Sequence, residues 1–496
     1  MTAPSHRWNA GARWDWPQSE AASVSDSLRS GRTSRPGRAR SPWSILGTFA
    51  WVTALTAMAA GPFIGYPELL SGLVAAPLIA MLVAPLISKL AAREARFDLS
   101  AILWAGLGLK FLATVARYLT IYSLYDGGGD AATYDVHGSR LAASFRELDF
   151  VVDVAQQVPG TGFLRYVTGV VYVFTFDDQF AGFLVFAAFT FVGVLAAFAA
   201  VRTALPDADH RLYVSLVMLW PSLLFWPASI GKDSWMILAI GLTSWGAAKM
   251  YTRERGGFFL GGIGLLATAM LRPHVTLLLF VAMFVGYLLR PGRPRRARRG
   301  RAARSGGGFA KVLGVAALLV VGSIVATETE QFFEIGELST EGVNEALAET
   351  SRRSSQGGGG FTPVDVSNPV NYPWAAVTVL FRPFPFEAHN AQALASSIEG
   401  IVLLGLLASS RRALLDAPRM LRRRPFVAYS AAYTLMFVYA FAAIGNFGIL
   451  SRQRSQLLPL VFVFVVLPKV RSSPTSAQPA DKAEDKLAAD QPQVNP

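Results

Sequence analysis

The sequence predicts an all-α, polytopic transmembrane bundle of about 12 spans, with amphipathic helices lying along one membrane surface. Three observations carry this. Of 496 residues, 52% are hydrophobic and only 16% charged, well below the roughly 25% charged of a soluble domain. The apolar residues come in long runs of about 20, the length that crosses a hydrocarbon core. Short arginine-rich segments separate some of these runs, the pattern by which a membrane chain sets its orientation. A soluble fold would have to bury about a dozen helices completely.

Residues 1–42 hold seven Arg and no early apolar core. They are expected to be a disordered cytoplasmic arm with no signal peptide. Candidate spans follow near 44–62, 69–90, 100–123, 179–201, 212–229, 234–250, 257–272, 274–290, 308–327, 390–410, 425–444 and 455–470, so the transmembrane domain covers 43–470. The pair 234–250 and 257–272 is short enough to be tilted or partly re-entrant. Residues 471–496, rich in Pro, Ala and charge, are expected to be a disordered cytoplasmic tail. No internal repeat is visible, which disfavours inverted-repeat transporter folds.

Charge asymmetry sets the orientation. Arg290–Arg304 contains eight Arg and no acid, and Arg411–Arg424 contains six Arg and one Asp. Both are expected on the cytoplasmic side. The intervals 124–178 and 328–372 together hold five Arg and sixteen Asp or Glu and belong outside, as outer loops 124–178 and 328–389. A full crossing by Phe163–Phe176 would invert every later loop. Residues 139–176 are therefore expected to form an interfacial amphipathic helix, marked by Leu141, Phe145, Leu148 and Val152, followed by a partial insertion. Both termini are then cytoplasmic, and the protein is expected in the plasma (inner) membrane. Within the loop 328–389, Phe332–Ser351 reads as a polar helix, Gly357–Gly360 as a flexible hinge, and Asn371–Phe386 as an aromatic, Pro-rich segment hugging the interface.

Composition excludes some chemistry. With no Cys there is no disulfide and no thiolate metal site, and five His without an HxxxH-type pair argue against zinc. The net charge of +13 is read as topology determinants and contacts to anionic lipid head groups; nucleic acid is not expected as a partner.

Five polar constellations fall on the outer side. In Asp126-Gly-Gly-Gly-Asp130-Ala-Ala-Thr-Tyr134-Asp135-Val-His137-Gly138, glycines permit a sharp turn, and Asp130 could serve as a general base or hold a divalent metal ion. Asp126, Tyr134 and His137 are its candidate helpers; the plainer alternative is a solvated turn with Asp as a helix cap. In Trp226–Asp233, Lys232 could neutralise a phosphate and Asp233 orient it, against ordinary snorkelling at a helix end. In Leu271–His274, Arg272 can grip a phosphate beside His274, or simply mark a Pro-forced turn. In Phe381–Asn390, Arg382, Glu387 and His389 sit among aromatics that suit sugar stacking, or form an interfacial aromatic belt. In Asn446–Arg454, Arg452 and Arg454 oppose the usual charge bias, a violation expected where function demands it. One acidic focus inside a cationic shell is what transfer from a phosphate-linked donor needs.

Charges within spans are few. Lys110 and Arg117 share a face of the third span, and Glu399 lies at a depth like that of Lys110. Unpaired charges there are costly, so Lys110 is expected to pair with Glu399 as a structural contact. Such scarcity of buried carboxylates argues against a proton-coupled transporter.

An acidic motif in a large outer loop followed by an interfacial helix resembles the GT-C superfamily of polyprenyl-phosphate-sugar-dependent glycosyltransferases, which includes protein mannosyltransferases and aminoarabinose transferases. The resemblance covers the architecture from about 100 to 470, and only Asp130, within GGGDAATY, maps onto the family's acidic motif. The chain departs from the family in placing this loop after the third span instead of the first, and in lacking an Asp-Glu or Asp-x-Asp pair. The resemblance implies a lipid-linked sugar donor and a glycan, lipid or protein acceptor in cell-envelope glycan assembly. It makes Asp130 the base and Lys232, Arg272, Arg382 and Arg452 or Arg454 the phosphate holders. A polysaccharide polymerase or ligase working through arginines, and a glycolipid flippase, are the competing readings.

Overall fold

The computed structural model describes residues 41–94, 96–151, 158–291, 340–354 and 359–468. The first 40 residues, the apolar run 308–327 and the C-terminal tail fall outside them. α1 (Pro42–Ala60) starts where the Ser41 hydroxyl accepts from the Ser44 amide and Pro42 fills the first turn. α2 (Gly72–Ala91) follows, then α3 (Leu99–Leu119), capped by Asp98 and prolonged by a wider turn to Leu124. A glycine turn leads to α4 (Asp130–Arg146), and α5 (Thr161–Thr175) packs against it. α6 (Gln179–Ala204), capped by Asp178, is the most buried long helix. Next come α7 (His210–Leu219), α8 (Pro221–Phe225), α9 (Lys232–Thr252), α10 (Gly257–Ala269) and α11 (Pro273–Leu288). The C-terminal part holds α12 (Thr340–Ser354), α13 (Tyr372–Phe381), α14 (Ala391–Ser409), α15 (Arg411–Leu421), α16 (Pro425–Phe441), α17 (Phe447–Arg454) and α18 (Leu458–Val465). No strand occurs among the described residues, as expected where backbone groups must be satisfied within one segment.

Five helices among the described residues are long and apolar enough to cross a membrane: α1, α2 and α3 with their flanking turns, α6, and α14. The peripheral α1 and α2 expose Phe49, Val74, Met81 and Leu82, as lipid-facing helices do. The chain is a helical membrane protein. The inner helices approach closely through small residues. A Cβ on Gly241 of α9 would sit 2.1 Å from the Gly193 carbonyl oxygen of α6, and one on Gly246 would sit 2.2 Å from the Gly261 nitrogen of α10. Such glycine-to-glycine seams let backbones meet where lipid offers no hydrophobic drive.

Several expected elements take another form. The run 212–229 is not one helix: Trp220 is extended, Pro221 restarts the chain, and α8 lasts one turn. The run 455–470 is likewise interrupted, because Arg454 ends α17 and α18 begins only at Leu458, with Pro459 in its first turn. These two broken segments pack together. The Tyr213 hydroxyl donates to the Pro459 carbonyl at 2.9 Å, and the Trp220 and Phe462 rings lie 4.9 Å apart.

The amphipathic helix expected through Leu141, Phe145, Leu148 and Val152 stops earlier. Leu141 and Phe145 are buried, but Leu148 has left-handed φ of 64° and is 79% exposed, so α4 ends at Arg146. Val152 lies outside the described residues. Of the polar helix expected over 332–351, the described part is α12. At the expected hinge, Gly359 and Gly360 are stitched to the chain before α17, with Phe361 N–H donating to the Gly445 carbonyl at 2.8 Å and Phe447 N–H to the Gly359 carbonyl at 3.1 Å. Gly357 and Gly358 lie outside the described residues.

A candidate anion-binding and acid–base site

The glycine turn before α4 builds the acidic corner. Asp126, Gly127 and Gly129 have φ of 49°, 72° and 116°. A Cβ at Gly129 would meet nothing within 4 Å, so its backbone angle and not crowding requires glycine there. Gly129 sits at the N-cap and Asp130 is the first helical residue, so Asp130 does not cap the helix through its side chain. Its carboxylate is 57% exposed and lies 3.6 Å from the Arg452 guanidinium, which α17 presents from more than 300 residues away.

Arg452 is held from the other side by Asp233. Extended backbone at Gly231 places Lys232 and Asp233 in the first turn of α9, where a carboxylate favours the helix N-terminus. The Asp233 side chain is only 3% exposed and accepts from Arg452 Nε. It also accepts from Gln456 Nε2 at 3.3 Å and lies 3.9 Å from an Arg272 nitrogen. Arg272, ahead of α11, donates to Gln453, whose Oε1 also accepts from Gln456 at 2.8 Å. The Arg452 guanidinium thus faces two carboxylates, Asp130 and Asp233. Lys232 is half-buried within electrostatic range of Asp130, Asp233, Arg272 and Arg452. Buried Tyr134 faces the same group and bonds to Thr161; burial first, then Asp130, raises its phenol pKa well above the ordinary value. Asp130, Tyr134, Lys232, Asp233, Arg272 and Arg452 thus form one cluster, drawn from α4, α9, the α10–α11 turn and α17.

Other expected site residues fall elsewhere. Asp126 is exposed on the glycine turn. His137 is half-buried near Arg140 and Arg165; burial and then those cations lower its pKa. His274 lies beside the Phe441 ring at 6.4 Å. Arg382 and Glu387 pair with each other, with Arg382 Nε donating at 3.0 and 3.1 Å, and the guanidinium rests on Phe361 and Phe447 at 4.4 and 5.1 Å. His389 is exposed at the end of that turn. Arg454 points away from the cluster and is a structural residue: buried, it donates to the Leu380 and Arg382 carbonyls at 2.8 and 3.1 Å.

Lys110 and Glu399 are not ion-paired with each other. Lys110 donates to the Leu223 and Leu224 carbonyls at 3.1 and 3.0 Å, and Glu399 accepts from the Ser222 amide at 2.6 Å. Each bonds to the same piece of backbone, although the second Glu399 oxygen has no hydrogen-bond partner among the described residues.

A cavity of about 170 Å³ opens beside Asp130, lined also by Arg452, Arg117, Tyr125, Trp226 and Gln392. Arg117, read from the sequence only as a charge in a span, is the residue missed. Its signal was the Phe225-Trp226 pair just before the Lys232 turn, whose rings it faces at 5.0 Å each. Counting Arg117, Lys232, Arg272 and Arg452 against Asp130 and Asp233, four cations meet two carboxylates, so the cluster carries an excess of two positive charges. That donor set does not fit a divalent metal ion. Both acids already face guanidinium groups, and no group of three or more His, Asp or Glu among the described residues is arranged to hold one. The arrangement can bind an anion and offer one accessible carboxylate next to it. No family model, no curated protein and no solved structure matches the chain.

Proposed function

We propose that the protein is a membrane glycosyltransferase that moves a sugar from a polyprenyl-phosphate donor to an acceptor hydroxyl on the non-cytoplasmic face of the plasma membrane. The observation that carries this reading is the accessible Asp130 carboxylate, 3.6 Å from Arg452, at the mouth of a cavity with cationic excess. In the reaction, Asp130 takes the acceptor proton while the acceptor oxygen bonds to the anomeric carbon. The bond from that carbon to the phosphate oxygen breaks, and the phosphate leaves with the electron pair. Arg452, which lines the cavity and is held in place beforehand by Asp233, stabilises the charge that develops on it, and Lys232 and Arg272 add their charge from behind it. The resemblance to GT-C enzymes supports the same assignment at Asp130, with the first turn of α4 in the role of the acidic loop.

In this reading the five long helices are joined as crossings by the paired segments α7–α8 and α17–α18 and by α9, α10, α11 and α16, within the about 12 spans expected from the sequence. Both termini are cytoplasmic. The arginines of α15 and of the turn before α16 then lie at the cytoplasmic surface, opposite the site.

One observation favours a second reading. Because Asp130 is ion-paired with Arg452, it could serve only to orient that guanidinium, as in a glycan polymerase or ligase that works through arginines. The test is transfer of labelled sugar from a polyprenyl-phosphate donor by the full chain in proteoliposomes. Asp130→Asn is expected to lower turnover by about 10²–10⁴-fold while donor binding persists. Turnover unchanged by Asp130→Asn would remove the base and favour the ligase; no transfer by the unaltered chain to any tested acceptor would reject the transferase itself.

A further inference from the structure

We infer that Arg117 is the seat of a lipid-linked phosphate, held in the cavity between the end of α3 and the start of α14. This deepens the transferase reading, on which the choice of phosphate over other anions rests, by giving the leaving group a location.

Arg117 has a charge with nothing to balance it. It makes no ion pair and no hydrogen bond to any described residue, and its buried Nε has no partner among them. Of the carboxylates of the cluster, Asp233 is shared between Arg452 and Arg272, and Asp130, which lines the same cavity, lies 3.6 Å from Arg452. Such isolation is costly for a largely buried guanidinium unless an anion completes the site. The guanidinium lies 5.0 Å from the ring centres of both Phe225 and Trp226, which are inclined at 74° to each other. Arg117 and Arg452 then line the same cavity, two forked donors converging on one space, which suits the several oxygens of a phosphate.

Size and position narrow the ligand. At about 170 Å³ the cavity far exceeds the roughly 10–15 Å³ that one water needs on this measure, and it has room for a phosphate group. Arg117 lies two turns inside the end of the α3 span, which reaches Leu124. In this reading the cavity opens near that end of the span, where the phosphate of a lipid whose tail stays in the bilayer can reach it. Tyr125 and Gln392, joined by a hydrogen bond of 3.1 Å, border it on the α14 side.

The test measures binding without turnover. Full-length protein in lipid nanodiscs is titrated with a polyprenyl monophosphate, with the uncharged polyprenol, and with inorganic pyrophosphate. The polyprenyl phosphate is expected to bind, and Arg117→Gln to weaken it at least tenfold, with Arg117→Lys recovering part of the loss. Gln392→Glu, at a half-buried position on the cavity wall, places a carboxylate on the same cavity and is expected to weaken binding without altering Arg117, so a misfolded Arg117→Gln does not end the test. Equal affinity for phosphate and polyprenol, or unchanged phosphate affinity in both Arg117→Gln and Gln392→Glu, overturns the seat. Pyrophosphate binding that needs Arg117, with no such dependence for the lipid phosphate, overturns the lipid source. The transferase reading fails separately. Arg117-dependent phosphate binding without sugar transfer leaves the seat standing alone, whereas transfer that ignores Arg117 leaves the transferase without this seat.

Discussion

Lys110 and Glu399 hold opposite ends of the same five-residue helix, Pro221–Phe225. Glu399 takes the Ser222 amide near its N-terminus, and Lys110 takes the Leu223 and Leu224 carbonyls near its C-terminus. A carboxylate at the start and an ammonium at the end both match the helix dipole. The next residues are Trp226 to Asp233, so this clamp fixes how the chain delivers Lys232 and Asp233 to the site. Glu399 and Lys110 are positioning residues. Removing either charged partner is expected to cost about 1.5–3 kcal/mol. Because both hold one element, Lys110→Met and Glu399→Leu should be non-additive, with a coupling of about 0.5–3 kcal/mol in thermal or denaturant unfolding. Strict additivity would mean that α8 does not transmit between them.

Asp233 is the keystone of the cationic cluster. Asp233→Asn leaves Arg452 and Arg272 facing each other without their shared anion, a change expected to cost about 3–5 kcal/mol. Donor binding should weaken together with stability, because the two guanidinium groups lose their fixed positions. A well-folded Asp233→Asn protein with ordinary donor affinity would contradict this role.

Much of this site is legible in the sequence because charge at the ends of apolar runs can go to only a few places. Asp130, Lys232, Arg272 and Arg452 each flank such a run, and orientation by charge puts them on one surface. What the sequence hides depends on tertiary partners. The break at Trp220-Pro221 has apolar residues on both sides, so hydropathy runs straight through it. Glu387 curls back onto Arg382 across Pro383 and Pro385, and periodicity gives no sign of that. Arg454 is two residues from Arg452, yet it turns to carbonyls of the α13 end, so two similar arginines have unlike tasks. Arg117 acquires its importance only when Phe225 and Trp226 close around it.

The glycine turn offers a test on backbone alone. At φ of 116°, Gly129 occupies a region that residues with a Cβ avoid, although the space around it is open. Gly129→Ala should cost more than about 1 kcal/mol and reduce sugar transfer, by displacing Asp130 from Arg452. Transfer at the unaltered rate would show that the turn tolerates another conformation.

At the other end of α3 a carboxylate reports on acid stability. Arg96 donates to Glu94 at 2.9 and 3.0 Å, and this pairing outweighs burial to lower the Glu94 pKa from 4.5 to about 2. The folded value lies below the unfolded one, so the stabilisation is complete above pH about 4.5 and fades as pH falls toward about 2. Glu94→Gln should flatten the melting temperature over that window and lower it at neutral pH. Parallel pH profiles for the two proteins would show that Glu94 contributes nothing to the acid limb.

Sidedness can be measured directly because the chain has no Cys. Asp126 on the glycine turn and Arg412 in α15 are both exposed, and single cysteines at these positions carry no background. A membrane-impermeant maleimide added to intact cells is expected to label Asp126→Cys and spare Arg412→Cys, with the reverse in inverted vesicles. The physical basis is the arginine bias of the α15 side against the acid-rich intervals around α4 and α12. Since Arg452 lies 3.6 Å from Asp130, a result at position 126 assigns the side of the entire cluster. Labelling of position 126 from the cytoplasm would put the site where soluble nucleotide sugars are available, and a lipid-phosphate donor would no longer be required.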